Sequence, residues 1–262
     1  MANKSKNKKN IDRVVIRFTG DSGDGMQLTG NRFTEATAIM GNDLATFPDY
    51  PAEIRAPAGS LAGVSSFQIQ FSSDNIGTPG DKLDVLVAMN PAALKTNLAD
   101  LKTSGIIIAN KANYTDKNLK LSRWELNPLE DDSLRDYRVI ALDMTRLVSN
   151  AVEDMDLSVK LISRSTNMFA LGLVSWMYDR TLDPTINFIK NKFAKRPELV
   201  EVNIRALKAG YNYGDTIEEF QHIITVSKAE FEPGVYRNIV GNQALCFGLI
   251  TAAEKAGLDI YF

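Results

Sequence analysis

Residues 14–25 read Val14-Val15-Ile16-Arg17-Phe18-Thr19-Gly20-Asp21-Ser22-Gly23-Asp24-Gly25, and a helical pattern, Met26 to Met40, follows at once. The apolar β-branched run predicts a strand, and the three glycines predict a tight turn into the helix. Such a turn gathers backbone N–H groups beside a helix N-terminus, where partial positive charge collects. It suits a phosphate or carboxylate. The plainer reading, a glycine-rich βα connection and nothing more, stands level with it on the turn alone.

Working outward, Leu44 to Tyr50 predicts a second strand, interrupted by Pro48 and Pro51, and Ala56 to Ser60 a loop. Val64 to Ser72 alternates apolar and polar residues, so a strand is expected there with Val64, Phe67, Ile69 and Phe71 on or near one face. Asp84 to Met89 is a continuous apolar run, as a strand buried on both faces requires. Asn90 and Pro91 open a helix as N-cap and first helical residue, predicted to reach about Lys102. Ile106 to Asn110 and Tyr137 to Leu142 complete the strand set, the latter followed by a helix capped near Asp143 or Thr145. Strands alternating with helices imply an α/β fold: a Rossmann-like, mainly parallel sheet with helices on both faces.

The second half changes character. Met168–Tyr178, Asp183–Ala194 and Leu199–Phe220 carry helical patterns and read as a helical extension, a lid or arm on the sheet, in which Met168, Trp176 and Met177 are core. Pro233 to Arg237 reads as a linker. Asn242 to Ala256 then predicts a helix ending at Gly257, and Leu258 to Phe262 the start of a strand.

Composition narrows the function classes. The chain of 262 residues is 44% hydrophobic and 24% charged with a net charge of −2, the profile of a globular protein with a full core and no nucleic-acid partner. Lys4, Lys6, Lys8 and Lys9 read as a solvated tail rather than an electrostatic arm. One cysteine, Cys246, and one histidine, His222, exclude an internal disulfide, and a thiolate zinc or iron–sulfur site built by this chain alone. No nucleophile elbow accompanies His222, so a Ser-His-Asp mechanism is discounted. The absence of a long apolar run and of a leader pattern predicts a cytoplasmic, non-membrane protein.

Three chemical readings of the turn compete. A dinucleotide site calls for Gly-x-Gly-x-x-Gly, and Gly20-x-x-Gly23-x-Gly25 reverses that spacing. Asp49, 24 positions past Gly25, keeps an NAD-linked oxidoreductase in play as the ribose acid. Gly23-Asp24-Gly25 echoes the start of a thiamine diphosphate motif, but no Asn-Asn pair follows at the needed distance, so a Mg²⁺-diphosphate site is rejected here. The stretch Phe47 to Gly59 is denser in special residues than a connector needs. Glu53, Arg55 and Asp49 read as a surface ion pair, or Arg55 as an anion ligand.

With these residues in view, the chain resembles the 2-oxoacid:ferredoxin oxidoreductases. The resemblance is to the N-terminal gamma-type domain of a fused gamma–alpha subunit of the 2-oxoglutarate kind. Four segments carry it: Gly20–Gly25, Asp49–Pro57 (DYPAEIRAP), Gly63–Ile69 (GVSSFQI) and Asp84–Ala93 (DVLVAMNPAA). Tyr236 to Phe262 resembles the entry to the alpha domain.

The resemblance implies oxidative decarboxylation of a 2-oxoacid, with coenzyme A, to acyl-CoA, CO₂ and two electrons for ferredoxin. It assigns thiamine diphosphate, Mg²⁺ and iron–sulfur clusters to the full complex, the metal motif and cluster cysteines lying on a beta subunit. The expected partners are therefore that beta subunit and ferredoxin, and the chain alone is expected to be inactive. Expected organisation is a basic tail 1–11 without order, a gamma-type domain 12–221, a linker 222–239, and residues 240–262 as the cut-off start of a pyrimidine-type thiamine diphosphate domain. Gly20, Asp21, Ser22, Gly23, Asp24, Gly25, Arg55 and Asn90 are the candidate cofactor-binding residues, with coenzyme A as candidate ligand and no catalytic or metal-ligating residue. An NAD-linked enzyme and a non-catalytic assembly domain are the competing classes.

Overall fold

A computed structural model describes residues 7–53, 56–216, 222–237 and 239–261. In chain order these form β1 (Asn7–Asn10), β2 (Arg13–Asp21), α1 (Met26–Ile39), β3 (Asp43–Asp49), β4 (Val64–Ser72), β5 (Leu83–Ala88), α2 (Pro91–Asn97), β6 (Leu101–Asn110), α3 (Asp116–Leu121), β7 (Arg138–Leu142), α4 (Met144–Ala151), α5 (Val159–Arg164), α6 (Thr166–Met177), α7 (Asp183–Lys192), α8 (Pro197–Thr216), β8 (His222–Thr225) and α9 (Gly241–Ala256). They divide into two compact units, the first ending at Glu230 and the second beginning at Phe231.

The main sheet of the first unit has the order β3-β4-β2-β5-β6-β7. β2, β5, β6 and β7 run parallel, whereas β4 is antiparallel to both its neighbours. Among the described residues only a single 3-10 turn, Leu61–Gly63, separates β3 from β4, and the chain returns antiparallel to slot between β3 and β2. β3 runs through Pro48, which an edge strand tolerates because one side of its ladder is free.

Each face of the sheet has its own core. Val14, Ile16 and Phe18 of β2 pack with α1, α4, α6 and α8 on one side. Val15, Leu86 and Ala88 pack with Ala93 and Leu94 of α2 and Leu119 of α3 on the other. Phe67, Ile69 and Phe71 share the first face, but Val64 packs on the second, one residue out of their period. The polar positions of β4, Ser66, Gln68 and Gln70, are buried too. Gln68 Oε1 accepts from Arg17 Nε and Nη2 at 2.9 and 2.6 Å, so burial is matched by bonding.

The helices of the second half are not an appended arm. All twelve residues of α6 are buried, as an evenly apolar helix must be, and Met168, Trp176 and Met177 are core. α8 crosses α6 backbone to backbone: a Cβ at Gly172 would strike the Leu207 carbonyl oxygen, and one at Gly210 the Phe169 carbonyl oxygen.

Four further expectations are corrected. Asn7–Asn10, placed within a tail without order, form β1, which pairs in parallel with β8, while Lys8 joins Asp179 in an ion pair. The residues assigned to a linker from 222 onward therefore belong to the first unit as far as Glu230. α2 ends at Asn97 rather than near Lys102, because residues 101–105 are needed as the start of β6. Leu258–Tyr261 form no strand, and Phe262 lies outside the described residues. Among the described residues of its own unit that segment has no strand to pair with, and an unpaired strand has no ladder.

The second unit consists of an extended stretch and α9. Gln243 Oε1 accepts the Val240 N–H at 3.2 Å, and Gly257 closes the helix at φ 67°. Leu245, Phe247, Leu249 and Ile250 of α9 are exposed.

Candidate functional site

The chain leaves β2 through α1 to one face of the sheet and leaves β5 through α2 to the other. β2 and β5 are hydrogen-bonded neighbours, tied at their carboxyl ends by Met89 N–H to Thr19 O at 2.9 Å. In open α/β sheets the crevice between two such diverging helices, at the carboxyl ends of parallel strands, is the place where ligands bind. The residues of the predicted turn, Gly20 to Gly25, form one wall. Asn90 is on the other, where it caps α2: its Oδ1 accepts the Ala93 N–H at 2.8 Å.

The turn holds its own carboxylates. Asp24 Oδ2 accepts the Asp21 N–H at 2.8 Å, and the Asp24 N–H donates to Asp21 O at 3.0 Å. Asp21 Oδ2 accepts the Gly59 N–H at 2.7 Å, and the Ser22 N–H donates to Gly63 O at 2.9 Å. The loop 56–63 is thereby fastened over the turn. Gly25, the N-cap of α1, sits at φ 79°, a left-handed conformation that glycine adopts without strain. The N–H groups of Gly23, Gly25 and Met26 take no partner among the described residues.

Burial dominates the electrostatics. It raises the Asp24 carboxyl to about 6, helped by the charge of Asp21 and opposed by the Asp21 N–H. Burial also raises Asp21, while the Gly59 N–H and the Asn90 amide pull it back down. Two acids at a helix N-terminus thus occupy the field that the turn pattern reserved for an anion. A negatively charged group enters this wall most easily when Asp24 is protonated.

A residue absent from the sequence expectations packs against the turn. Asn167, the second residue of α6, is only 6% exposed, and a Cβ at Gly25 would collide with its Nδ2. Asn167 Oδ1 has no hydrogen-bond partner, nor has Asp21 Oδ1 or, at the end of β6, Asn110 Nδ2. The available signal was an amide opening a run, 168–174, that is otherwise wholly apolar or glycine.

The other expected residues scatter. Arg55 lies outside the described residues. Phe47, Asp49 and Tyr50 line a separate hollow of about 410 Å³ with Asn97, Asp100 and Arg17, whose Nη1 donates to Asp100 Oδ2 at 2.6 Å. β4 stands between β2 and β3, yet Asp49 is not remote from the turn: its carbonyl accepts Gln27 Nε2, from the first turn of α1, at 3.0 Å. The reversed glycine spacing is what counts against the NAD reading. Among the described residues no group of three His, Cys, Asp or Glu side chains could hold a metal ion, and no helix is long and apolar enough to cross a membrane.

Comparison with known proteins agrees with the fold. The family model described as pyruvate ferredoxin/flavodoxin oxidoreductase matches residues 15–213. The 2-oxoglutarate oxidoreductase subunit KorA of Mycobacterium tuberculosis is 54% identical over 253 residues, covering 97% of this chain and 39% of that protein. The ketoisovalerate oxidoreductase subunit VorA of Methanothermobacter thermautotrophicus is 26% identical over 200 residues, 75% of this chain and 35% of its own length. The chain thus spans under two fifths of the curated relatives it matches. Among solved structures, the 2-oxoglutarate:ferredoxin oxidoreductase of Magnetococcus marinus, with 2-oxoglutarate, coenzyme A and succinyl-CoA bound, superposes with TM-score 0.63 at 23% identity, over 84% of this chain and 34% of that one. The keto/oxoacid ferredoxin oxidoreductase gamma subunit of Geobacter sulfurreducens gives 0.52 at 19%, over 78% and 99%. At those identities the two structures speak to the fold.

Proposed function

From the premise that this chain belongs to the pyruvate ferredoxin/flavodoxin oxidoreductase family, we propose that it serves as the gamma-type part of a 2-oxoglutarate:ferredoxin oxidoreductase. The observation that carries the substrate is 54% identity to a 2-oxoglutarate oxidoreductase subunit across 97% of the chain. The reaction joins a 2-oxoacid to the thiol of coenzyme A, releasing CO₂, one proton and two electrons, which ferredoxin accepts. Thiamine diphosphate supplies the carbanion chemistry and iron–sulfur clusters conduct the electrons. A single cysteine and a single histidine do not fit a cluster site, which supports assigning those centres and their Mg²⁺ to a beta subunit. The exposed apolar residues of α9 support reading residues 240–262 as part of an alpha-type domain.

The crevice at β2 and β5 is the proposed coenzyme A site of this chain. Unpartnered N–H groups at the α1 N-terminus and unpaired buried amide atoms are the features that fit a polar ligand. Gly20 to Gly25 and Asn90 form its walls, and Arg55, outside the described residues, is kept as the proposed cationic ligand. The chain's own task is to bind and orient the thiol carrier and to exclude water.

The test is purification of this chain together with its partner subunit, followed by assay of ferredoxin reduction. The expected outcome is reduction dependent on both 2-oxoglutarate and coenzyme A, faster than with pyruvate or 2-oxoisovalerate, and none from this chain by itself. A complex indifferent to coenzyme A, or one that prefers another 2-oxoacid, overturns the reading.

A further inference from the structure

We propose that Asn167 recognises an amide of the pantetheine arm of coenzyme A, so that the β2–α1 turn holds the neutral arm of the carrier and not its phosphates. This rests on the coenzyme A reading above. Asn167 is more than nine-tenths buried, leaves its Oδ1 without a hydrogen-bond partner, and sets its Nδ2 against Gly25. A buried amide oxygen without a partner is costly, and a ligand donor reaching the turn would remove that cost.

The character of that ligand follows from the neighbours. Asp21 and Asp24 face the same turn, and Asp21 Oδ1 is an unpaired acceptor. A phosphate against two carboxylates is repelled. A secondary amide is not: it offers one N–H and one C=O, the complement of the side-chain amide of Asn167, of Asp21 Oδ1, and of the free N–H groups of Gly23, Gly25 and Met26. Pantetheine has two such amides between its thiol and its phosphates. Gly25 is then required for space as well as for its φ, since any side chain there would displace the Asn167 amide.

The experiment is calorimetric titration of the purified complex with three probes: coenzyme A, pantetheine and adenosine 3′,5′-bisphosphate. Asn167→Ala is expected to weaken coenzyme A and pantetheine by the same factor, on the order of tenfold, as the loss of a buried hydrogen-bond pair implies. Binding of the bisphosphate is expected to be unchanged. The isosteric Asn167→Asp, which keeps the volume and removes the donor, is expected to show the same pattern and serves if the alanine variant fails to assemble. Equal weakening of the bisphosphate, or unchanged affinity for all three probes, overturns the proposal while leaving the coenzyme A reading intact. A wild-type complex that binds no coenzyme A overturns both.

Discussion

The helix α6 meets two other parts of the fold in opposite ways. At Gly172 it presses backbone on backbone against α8, with Gly210 answering from the other side, and among the described residues no buried polar side-chain atom is left unpaired between those glycines. At its N-terminal end it meets the β2–α1 turn through Asn167, whose side chain is buried with its Oδ1 unpaired. Close packing in the first place fixes where α6 lies. That fixed position makes the unsatisfied amide in the second tolerable, because the polar group cannot relax toward water. Groups poised for a ligand need a scaffold that holds them against their own preference.

The contrast can be broken most forcefully at the crossing. Gly210→Ala drives a methyl group into the Phe169 carbonyl, and the two backbones must separate. A loss on the order of 3 kcal/mol or more is expected in urea-induced unfolding of the purified chain. A loss below about 1 kcal/mol, the level of an ordinary surface change, contradicts the claim that this crossing is the rigid part.

A smaller effect of opposite sign is expected at the turn. Because burial raises Asp24 above the ordinary carboxylate range, the folded state binds a proton there more tightly than the unfolded chain does. Stability from this group is therefore greatest below its unfolded pKa of 3.8 and falls as pH rises toward about 6, levelling off above that. Asp24→Asn keeps an acceptor for the Asp21 N–H and removes the charge. It is expected to stabilise the chain at pH 7.5 by about 1–2 kcal/mol and to flatten this part of the decline in Tm between pH 4 and 6. The same charge opposes an anion at the turn, so a wild-type Tm that does not fall over that range removes the electrostatic half of the argument.

The smallest effect sharpens the boundary between site and scaffold. Asn90→Ala removes the α2 cap and is expected to cost about 1 kcal/mol, read from the thermal midpoint. A much larger loss would place Asn90 with the scaffold instead of the crevice.

Local chemistry explains what could be read in advance. The strand, the turn and α1 were legible at residues 14–40 because β-branching, glycine and helical period agree over one continuous stretch. Asn90 and Pro91 announced α2 for the same reason. Strand order was not legible: nothing in the alternation of Val64 to Ser72 says that β4 inserts antiparallel beside β2, since that depends on pairing across the sheet. The tail at Asn7–Asn10 read as solvated because its residues are polar, and only its pairing with His222–Thr225 makes it a strand. Met168, Trp176 and Met177 were legible as core, but reading the second half as a lid or arm missed that α6 is buried all round. At the site, the glycines and acids were visible as a pattern, whereas Asn167 acquires its meaning only by folding onto a turn more than a hundred residues away.

The loop 56–63 hangs from the turn by two hydrogen bonds, Gly59 N–H to Asp21 and Ser22 N–H to Gly63 O. It also joins two adjacent strands, one of them the outermost. One short segment thus ties the turn at the start of α1 to the edge of the sheet, and the two are braced through the same pair of bonds.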